Sequence, residues 1–224
     1  MPDPSRRSGA DTPERDAADS AANAARAPRP GLRERKKAAT MHRIQAIALD
    51  LFERYGFDAV SIEQVADAAE VSPSTVYRYF GTKEGLVVHD EYDDRVLELL
   101  VYYLQRDDDL AHVLTRVLDE LWAEHFVKDA GPSWVRTRWC FEHPSIQGAM
   151  WVLVNEQVET IARAVSDSRR MPLSRARILA SATMWGIVAV LRTWYEQDGV
   201  SDLRADIGQV IDMLARLEQT SPGS

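Results

Sequence analysis

The sequence has little of the residues that form disulfides or metal sites. Among its 224 residues there is one cysteine, Cys140, so no intramolecular disulfide can form and a reducing cytoplasm is expected. Its five histidines show no metal-ligand spacing such as H-E-x-x-H, and no glycine-rich phosphate loop occurs. We therefore expect no metal, no cofactor and no enzymatic activity, with a helical enzyme kept as a remote alternative.

Long apolar runs are missing as well. The longest is ILASATMWGIVAVL at 178–191, shorter than the roughly 20 residues that a membrane-spanning helix needs. We interpret it as a buried helix and expect no membrane partner. No apolar segment follows Arg6 and Arg7, so we expect no secretory signal.

Positive charge is scarce overall but locally concentrated. The net charge is −8, yet residues 26–43 hold seven cations and one anion, whereas residues 91–224 hold 14 cations and 21 anions. A basic segment thus precedes an acidic body. Residues 1–32, rich in Ala, Pro, Asp and Arg without apolar periodicity, are predicted to form a disordered arm.

No convincing strand pattern occurs, and the sequence predicts an all-α protein of about nine helices. The first helix begins near Arg33 and ends before Gly56, where a glycine suits the end of a helix. Its predicted apolar face comprises Ile44, Ile47, Ala48, Leu51, Phe52 and Tyr55. We predict two domains after the arm, at 33–84 and 85–220.

Capping residues mark the ends of the next three predicted helices. Ser61 and Gln64 have the spacing of a capping box at the start of a second helix. Ser72 is the predicted N-cap of a third helix, which Gly81 ends. Thr82 then opens a fourth helix over residues 82–104.

The second and third helices, joined by AAEVS, form a helix-turn-helix, whose second helix can enter the DNA major groove. At 100° per residue, with Val76 inward, Ser72 and Phe80 also point inward. The exposed face then carries Ser74, Thr75, Tyr77 and Arg78. Arginine can pair with guanine, and the hydroxyls can bind phosphate.

Residues 41–90 resemble the DNA-binding domain of TetR/AcrR-type transcriptional regulators, most clearly in LFERYGFDAVSIEQVA and VSPSTVYRYFGTKEGL. The resemblance implies DNA contacts from residues at these positions: Ser61, Pro73, Ser74, Thr75, Tyr77, Tyr79 and Lys83. For Tyr77 and Tyr79, packing between helices is the alternative. Where this sequence has Glu70 the family usually has glycine, so the glutamate is strained if its φ is positive.

The basic segment has two interpretations. By analogy with arms that reach an adjacent groove, Arg33, Arg35, Lys36 and Lys37 are predicted to contact DNA. The alternative is a solvated tail.

All six tryptophans lie beyond residue 120, which favours an aromatic-lined pocket for a lipophilic or aromatic ligand. The predicted lining is Trp122, Phe126, Trp139, Trp151 and Trp185. Ordinary core packing is the alternative for each. TRWCFEHPSIQGAMWVLVNEQVETIARAV and RTWYEQDGVSDL resemble, more loosely, an actinobacterial subgroup that includes mycofactocin-type regulators, which hints at a fatty-acyl or other lipophilic ligand.

Two-fold dimerisation is expected because one helix-turn-helix buries too little surface for tight binding. The resemblance implies a dimer face on the last two helices. The predicted face comprises Ile178, Ala182, Gly186, Ala189, Thr193, Val210 and Leu214.

The sequence thus predicts a homodimeric repressor that a small-molecule inducer releases from a pseudo-palindromic double-stranded operator. The fourth helix would carry the shift between ligand and DNA. The alternative is a DNA-binding regulator that needs no ligand and acts through a protein partner or as an activator.

Overall fold

The computed structural model describes residues 31–89, 93–107, 109–122 and 130–219. The chain divides into two units, Met1–Gly31 and Leu32–Ser224. The predicted disordered arm lies outside the described residues, except for its last two. The described residues contain ten helices and no strand, which confirms the all-α class with one helix more than predicted.

Four helices form an N-terminal head, which we define as α1 to α4. They are α1 (Leu32–Tyr55), α2 (Ile62–Ala68), α3 (Pro73–Phe80) and α4 (Gly85–Val88). The apolar face of α1 lies over α2 and α4, with Ile44, Ala48 and Phe52 almost fully buried. Tyr55 was wrongly placed on that face. It occupies the last turn of α1 and is 65% exposed.

The predicted fourth helix is broken. It begins at Gly85 with Glu84 and not Thr82 as its N-cap, although the Thr82 hydroxyl oxygen accepts the backbone N–H of Gly85 at 3.0 Å. At His89, however, the backbone turns extended, with φ −75° and ψ 147°, and this ends α4. The next helix, α5, begins at Asp93, so head and body are not joined by one continuous helix.

Six helices form the body, α5 to α10. They are α5 (Asp93–Leu104), α6 (Leu110–Trp122), α7 (Ala130–Glu142), α8 (Pro144–Arg169), α9 (Leu173–Glu196) and α10 (Leu203–Gln219). Helix α8 packs along α9, and α9 along α10. The side chain of Arg177 on α9 donates two hydrogen bonds to Glu159 on α8, at 2.7 and 2.9 Å. This pairing lowers the pKa of Glu159.

The apolar segment 178–191 lies within α9. Among the described helices, α9 alone is long and apolar enough to cross a membrane, by length and composition only. Its inner side is buried against α7, α8 and α10, including Leu179, Ala180 and Thr183. The interpretation as a buried helix is wrong for the outer side, where Ile178 is 69% exposed.

Candidate DNA-reading helix and body cavities

Local capping fixes both helices of the helix-turn-helix. At α2, the backbone N–H of Gln64 bonds to the Ser61 hydroxyl at 3.3 Å, and the Gln64 side chain accepts the Ser61 backbone N–H at 2.7 Å. This confirms the predicted capping box. At α3, the Ser72 hydroxyl accepts the backbone N–H of Thr75, and Pro73 occupies the first turn as predicted.

Helix α3 presents a polar outer face. Val76 and Phe80 are buried as expected, whereas Ser74, Tyr77 and Arg78 are exposed. Tyr77 is 49% exposed, so packing between helices does not account for its whole side chain. Ser72 was predicted to point inward, but it is exposed. It is the N-cap residue of α3 and has extended backbone angles, φ −76° and ψ 148°, so the rotation of 100° per helical residue does not apply to it.

The flanking candidates are partly engaged within the head. Tyr79 packs against the head core, which is the alternative foreseen for it, and the Arg78 guanidinium lies 4.9 Å from the centre of its ring. The Lys83 ammonium lies 4.3 Å from the ring centre of Phe57, a cation–π distance. DNA contacts from Ser61, Pro73, Thr75, Tyr79 and Lys83 stay predictions.

The turn between α2 and α3 is a Schellman motif. The N–H of Glu70 bonds to the carbonyl of Asp67, and the N–H of Val71 to the carbonyl of Ala66. Glu70 occupies the left-handed position of this motif with φ 51°. The condition for strain at Glu70, a positive φ, is thus met, and the glutamate holds this conformation at a cost of about 1–2 kcal/mol that glycine would not have.

The basic segment is helical where the structure describes it. Arg33, Arg35, Lys36 and Lys37 lie in the first turns of α1, and all four are exposed. Contact between these side chains and DNA stays a prediction.

An apolar cavity of about 240 Å³ lies among α5, α6, α8, α9 and α10. Leu100, Leu114, Val165 and Ile207 are among its lining residues, and Thr183 is the one polar residue in that lining. The Thr183 hydroxyl already donates to the carbonyl of Leu179 at 2.9 Å. The cavity therefore offers space to an apolar group and few partners to a charged one.

A second cavity of about 240 Å³ is lined by residues of α4, α7, α8 and α9, and we call it the joint pocket. Its lining includes Arg136, Thr137, Cys140 and Ser133 on α7 beside apolar residues of the other helices. Burial raises the pKa of the Cys140 thiol to about 11, despite the opposing charge of Arg136, so the thiol is neutral at pH 7.

Polar contacts hold the end of α4, one set within the head and one from the body, and neither was predicted from the sequence. Gln45 of α1 is 5% exposed, and its amide donates to the carbonyls of Leu86 and His89 at 3.1 and 2.6 Å. Arg136 of α7 donates to the carbonyls of Val87 and His89 at 2.9 and 3.1 Å. The single sequence signal was Gln45 inside the apolar face of α1.

Comparison with known proteins identifies the head. Residues 44–89 match the family model described as "Bacterial regulatory proteins, tetR family". The chain carries a TetR-family DNA-binding domain. The resemblance of residues 41–90 to the DNA-binding domain of TetR/AcrR-type regulators is therefore confirmed.

Curated relatives match the chain over short stretches. It is 44% identical over 55 residues to the HTH-type transcriptional regulator TcmR of Streptomyces glaucescens, covering 25% of this chain and 24% of TcmR. It is 35% identical over 52 residues to the mycofactocin biosynthesis transcriptional regulator MftR of Mycobacterium tuberculosis, covering 23% of this chain and 26% of MftR. The chain thus spans about a quarter of the length of these relatives. Similarity of the C-terminal half to mycofactocin-type regulators stays a prediction.

Solved structures show the same fold over most of the chain. The repressor FadR of Thermus thermophilus, determined with lauroyl-CoA, has a TM-score of 0.51 at 19% identity, covering 82% of this chain and 100% of FadR. The fatty acid degradation regulator FadR of Bacillus halodurans has a TM-score of 0.52 at 15% identity, covering 84% and 97%. The TetR fold therefore extends into the body.

The predicted aromatic pocket is not assembled by the tryptophans that the structure describes. Trp139 packs on Phe52 and Phe57 of the head and donates its indole N–H to Glu53 at 2.8 Å. Trp122 packs against the buried face of α10. Trp151 and Trp185 are exposed on the surface of the body, by 48% and 37%. None of the four lines either cavity, and Phe126 lies outside the described residues.

The residues of the predicted dimer face fall into two groups, one exposed and one packed within the protomer. Ile178, Ala189 and Thr193 are exposed on α9, and Ala182 is half-buried. Leu214, by contrast, is buried within the protomer at 4% exposure. A side chain on Gly186 would meet Val210 of the same chain at 2.6 Å, so this pair packs α9 against α10. Placing Leu214 on an open face was therefore wrong.

Proposed function

We propose that the protein is a cytoplasmic, homodimeric transcriptional repressor that reads a pseudo-palindromic operator with α3 and leaves it when a lipophilic ligand fills the body. The outer face of α3 carries this proposal. Ser74, Tyr77 and Arg78 are exposed together on a capped helix whose inner residues, Val76 and Phe80, fix its orientation.

The functional group of each exposed side chain indicates the part of the DNA that it would contact. Arg78 can donate to guanine O6 and N7 in the major groove, worth about 1–3 kcal/mol against the wrong base. The hydroxyls of Ser74, Thr75 and Tyr77 suit phosphate oxygens. Lys36 and Lys37, exposed at the start of α1, add cations that strengthen binding at low salt.

Selection from a random-sequence duplex library tests DNA reading and dimerisation together. Two α3 helices related by a two-fold axis should select an inverted repeat with half-sites spaced by about one helical turn. The Arg35→Gln/Lys36→Gln variant should select the same repeat with weaker affinity, because phosphate contacts carry no sequence information. Recovery of no consensus, or of a single half-site bound by monomer, would contradict the proposal.

The ligand and the dimer rest on two features of the body. The apolar cavity has the size and lining for a lipophilic group, and a structural neighbour, the T. thermophilus FadR, is described in complex with lauroyl-CoA. Ile178 and Trp185 leave an exposed apolar strip on α9, which a second copy of the chain would cover.

Filling the apolar cavity tests the ligand. Ala180 lines it and is 2% exposed, so Ala180→Leu should occupy its volume. We expect the variant to bind the apolar dye 1-N-phenylnaphthylamine at least about tenfold more weakly than wild type. Ala205→Leu, an exposed change on α10, is the matched control and should leave dye binding unchanged. Equal dye binding by Ala180→Leu and wild type would show that the cavity is not the site.

A further inference from the structure

The joint pocket touches both the head and the body. Val87 and Val88 of α4 form its head side, and Arg136 and Cys140 of α7 lie across from them. Met184 and Ile187 of α9 line this pocket and the apolar cavity alike, so these two side chains form the partition between the cavities.

Arg136 has two roles in this geometry. Its Nε and one Nη donate to the carbonyls of Val87 and His89, the point where α4 ends and the chain turns extended. At the same time its side chain lines the pocket. Any group in the pocket that accepts hydrogen bonds from this guanidinium competes with the carbonyls that anchor the head.

The lining determines which group competes best. Arg136 supplies a positive charge, the described lining residues include no acidic side chain, and the neutral thiol of Cys140 adds no negative charge. A carboxylate accepts two parallel hydrogen bonds from a guanidinium and is a stronger acceptor than two backbone carbonyls. A neutral alcohol offers neither the charge nor the second oxygen.

We propose that the joint pocket binds the carboxylate of a small amphiphilic ligand. When the carboxylate binds, Arg136 breaks its hydrogen bonds to the carbonyls of Val87 and His89 and so transmits the binding to the head, a step that we call the relay. The tail of the ligand passes Met184 and Ile187 into the apolar cavity, since methionine side chains adjust readily. The relay rests on the proposed function, whereas the binding of a carboxylate does not.

Paired probes test the binding step by titration calorimetry on the full chain. Decanoate and decan-1-ol share a tail and differ in the head group. We expect wild type to bind decanoate at least about tenfold more tightly than decan-1-ol. Arg136→Gln should reduce this preference to within about twofold. Arg163→Gln, the same charge change on the exposed surface of α8, should keep the wild-type preference.

The wild-type comparison alone can overturn the proposal. Equal affinity for the two probes, or no binding of decanoate, would show that the pocket does not recognise a carboxylate. If Arg136→Gln fails to fold, Arg136→Lys replaces it. Lysine keeps the positive charge but cannot donate two parallel hydrogen bonds to one carboxylate. The preference of this variant for decanoate should therefore lie between those of wild type and of a variant with an uncharged side chain.

The relay is tested on the duplex recovered by selection. Saturating decanoate should lower wild-type DNA affinity by at least about tenfold, while Arg136→Gln should change by less than about twofold. Full release of the variant by decanoate would refute the relay. If wild type selects no duplex, the proposed function fails, and the calorimetric comparison still decides whether the pocket binds a carboxylate.

Discussion

Replacing Glu70 by glycine should stabilise the head. Glu70 holds φ 51° at the left-handed position of the Schellman motif that ends α2. A residue with a side chain loses about 1–2 kcal/mol in this conformation, and glycine does not. Glycine costs about 0.5–1 kcal/mol in extra freedom of the unfolded chain. The net expectation is a gain of about 0.5–1 kcal/mol in the free energy of unfolding.

Urea unfolding, followed by tryptophan fluorescence and circular dichroism, measures this gain. Glu70→Ala is the matched control, because alanine removes the same carboxylate but keeps a Cβ and therefore the strain. The difference between the two variants isolates the backbone effect. An alanine variant as stable as the glycine variant would show that the charge of Glu70, not its φ, sets the stability of the turn.

Three other substitutions or conditions give distinct results. Gly85→Ala should destabilise the head by about 3 kcal/mol or more, because the new Cβ would lie 1.8 Å from the Phe80 carbonyl oxygen; a melting temperature equal to wild type would contradict the close approach. Gln45→Leu should cost about 1–3 kcal/mol in urea unfolding, since it leaves the Leu86 carbonyl buried without its donor. Burial raises the pKa of Cys140 from 9.0 to about 11, so the thiol favours folding below pH 9 and this stability is lost as pH rises towards 11. Wild type should then lose roughly 2–3 kcal/mol more than Cys140→Ala over this range, and parallel losses would refute the burial argument.

Local signals predicted most of the head. The capping box of Ser61 and Gln64 and the cap at Ser72 depend on residues within a few positions of one another, and the structure has both. Rotation about α3, with Val76 taken as the inward direction, correctly predicted that Phe80 is buried. The prediction that Tyr55 lies on the buried face of α1 was wrong, because periodicity identifies a face of the helix but not the point at which neighbouring helices stop covering it.

The body needed information that a single sequence lacks. Six tryptophans suggested an aromatic pocket, but both cavities are walled mainly by aliphatic residues, and Trp139 instead joins the body to Phe57 of the head. The contact of Arg136 with His89 spans 47 positions. No local pattern distinguishes such an arginine from a solvated one, so the joint between head and body is visible only in the fold.

DNA reading by α3 is the central claim, and equilibrium binding to the selected duplex tests it most directly. Fluorescence anisotropy would compare wild type with Tyr77→Ala/Arg78→Ala on that duplex and on a scrambled one. We predict that the double variant, folded by circular dichroism, loses at least about tenfold in affinity for the selected duplex and little for the scrambled one. An equal affinity of variant and wild type for the selected duplex would contradict the account.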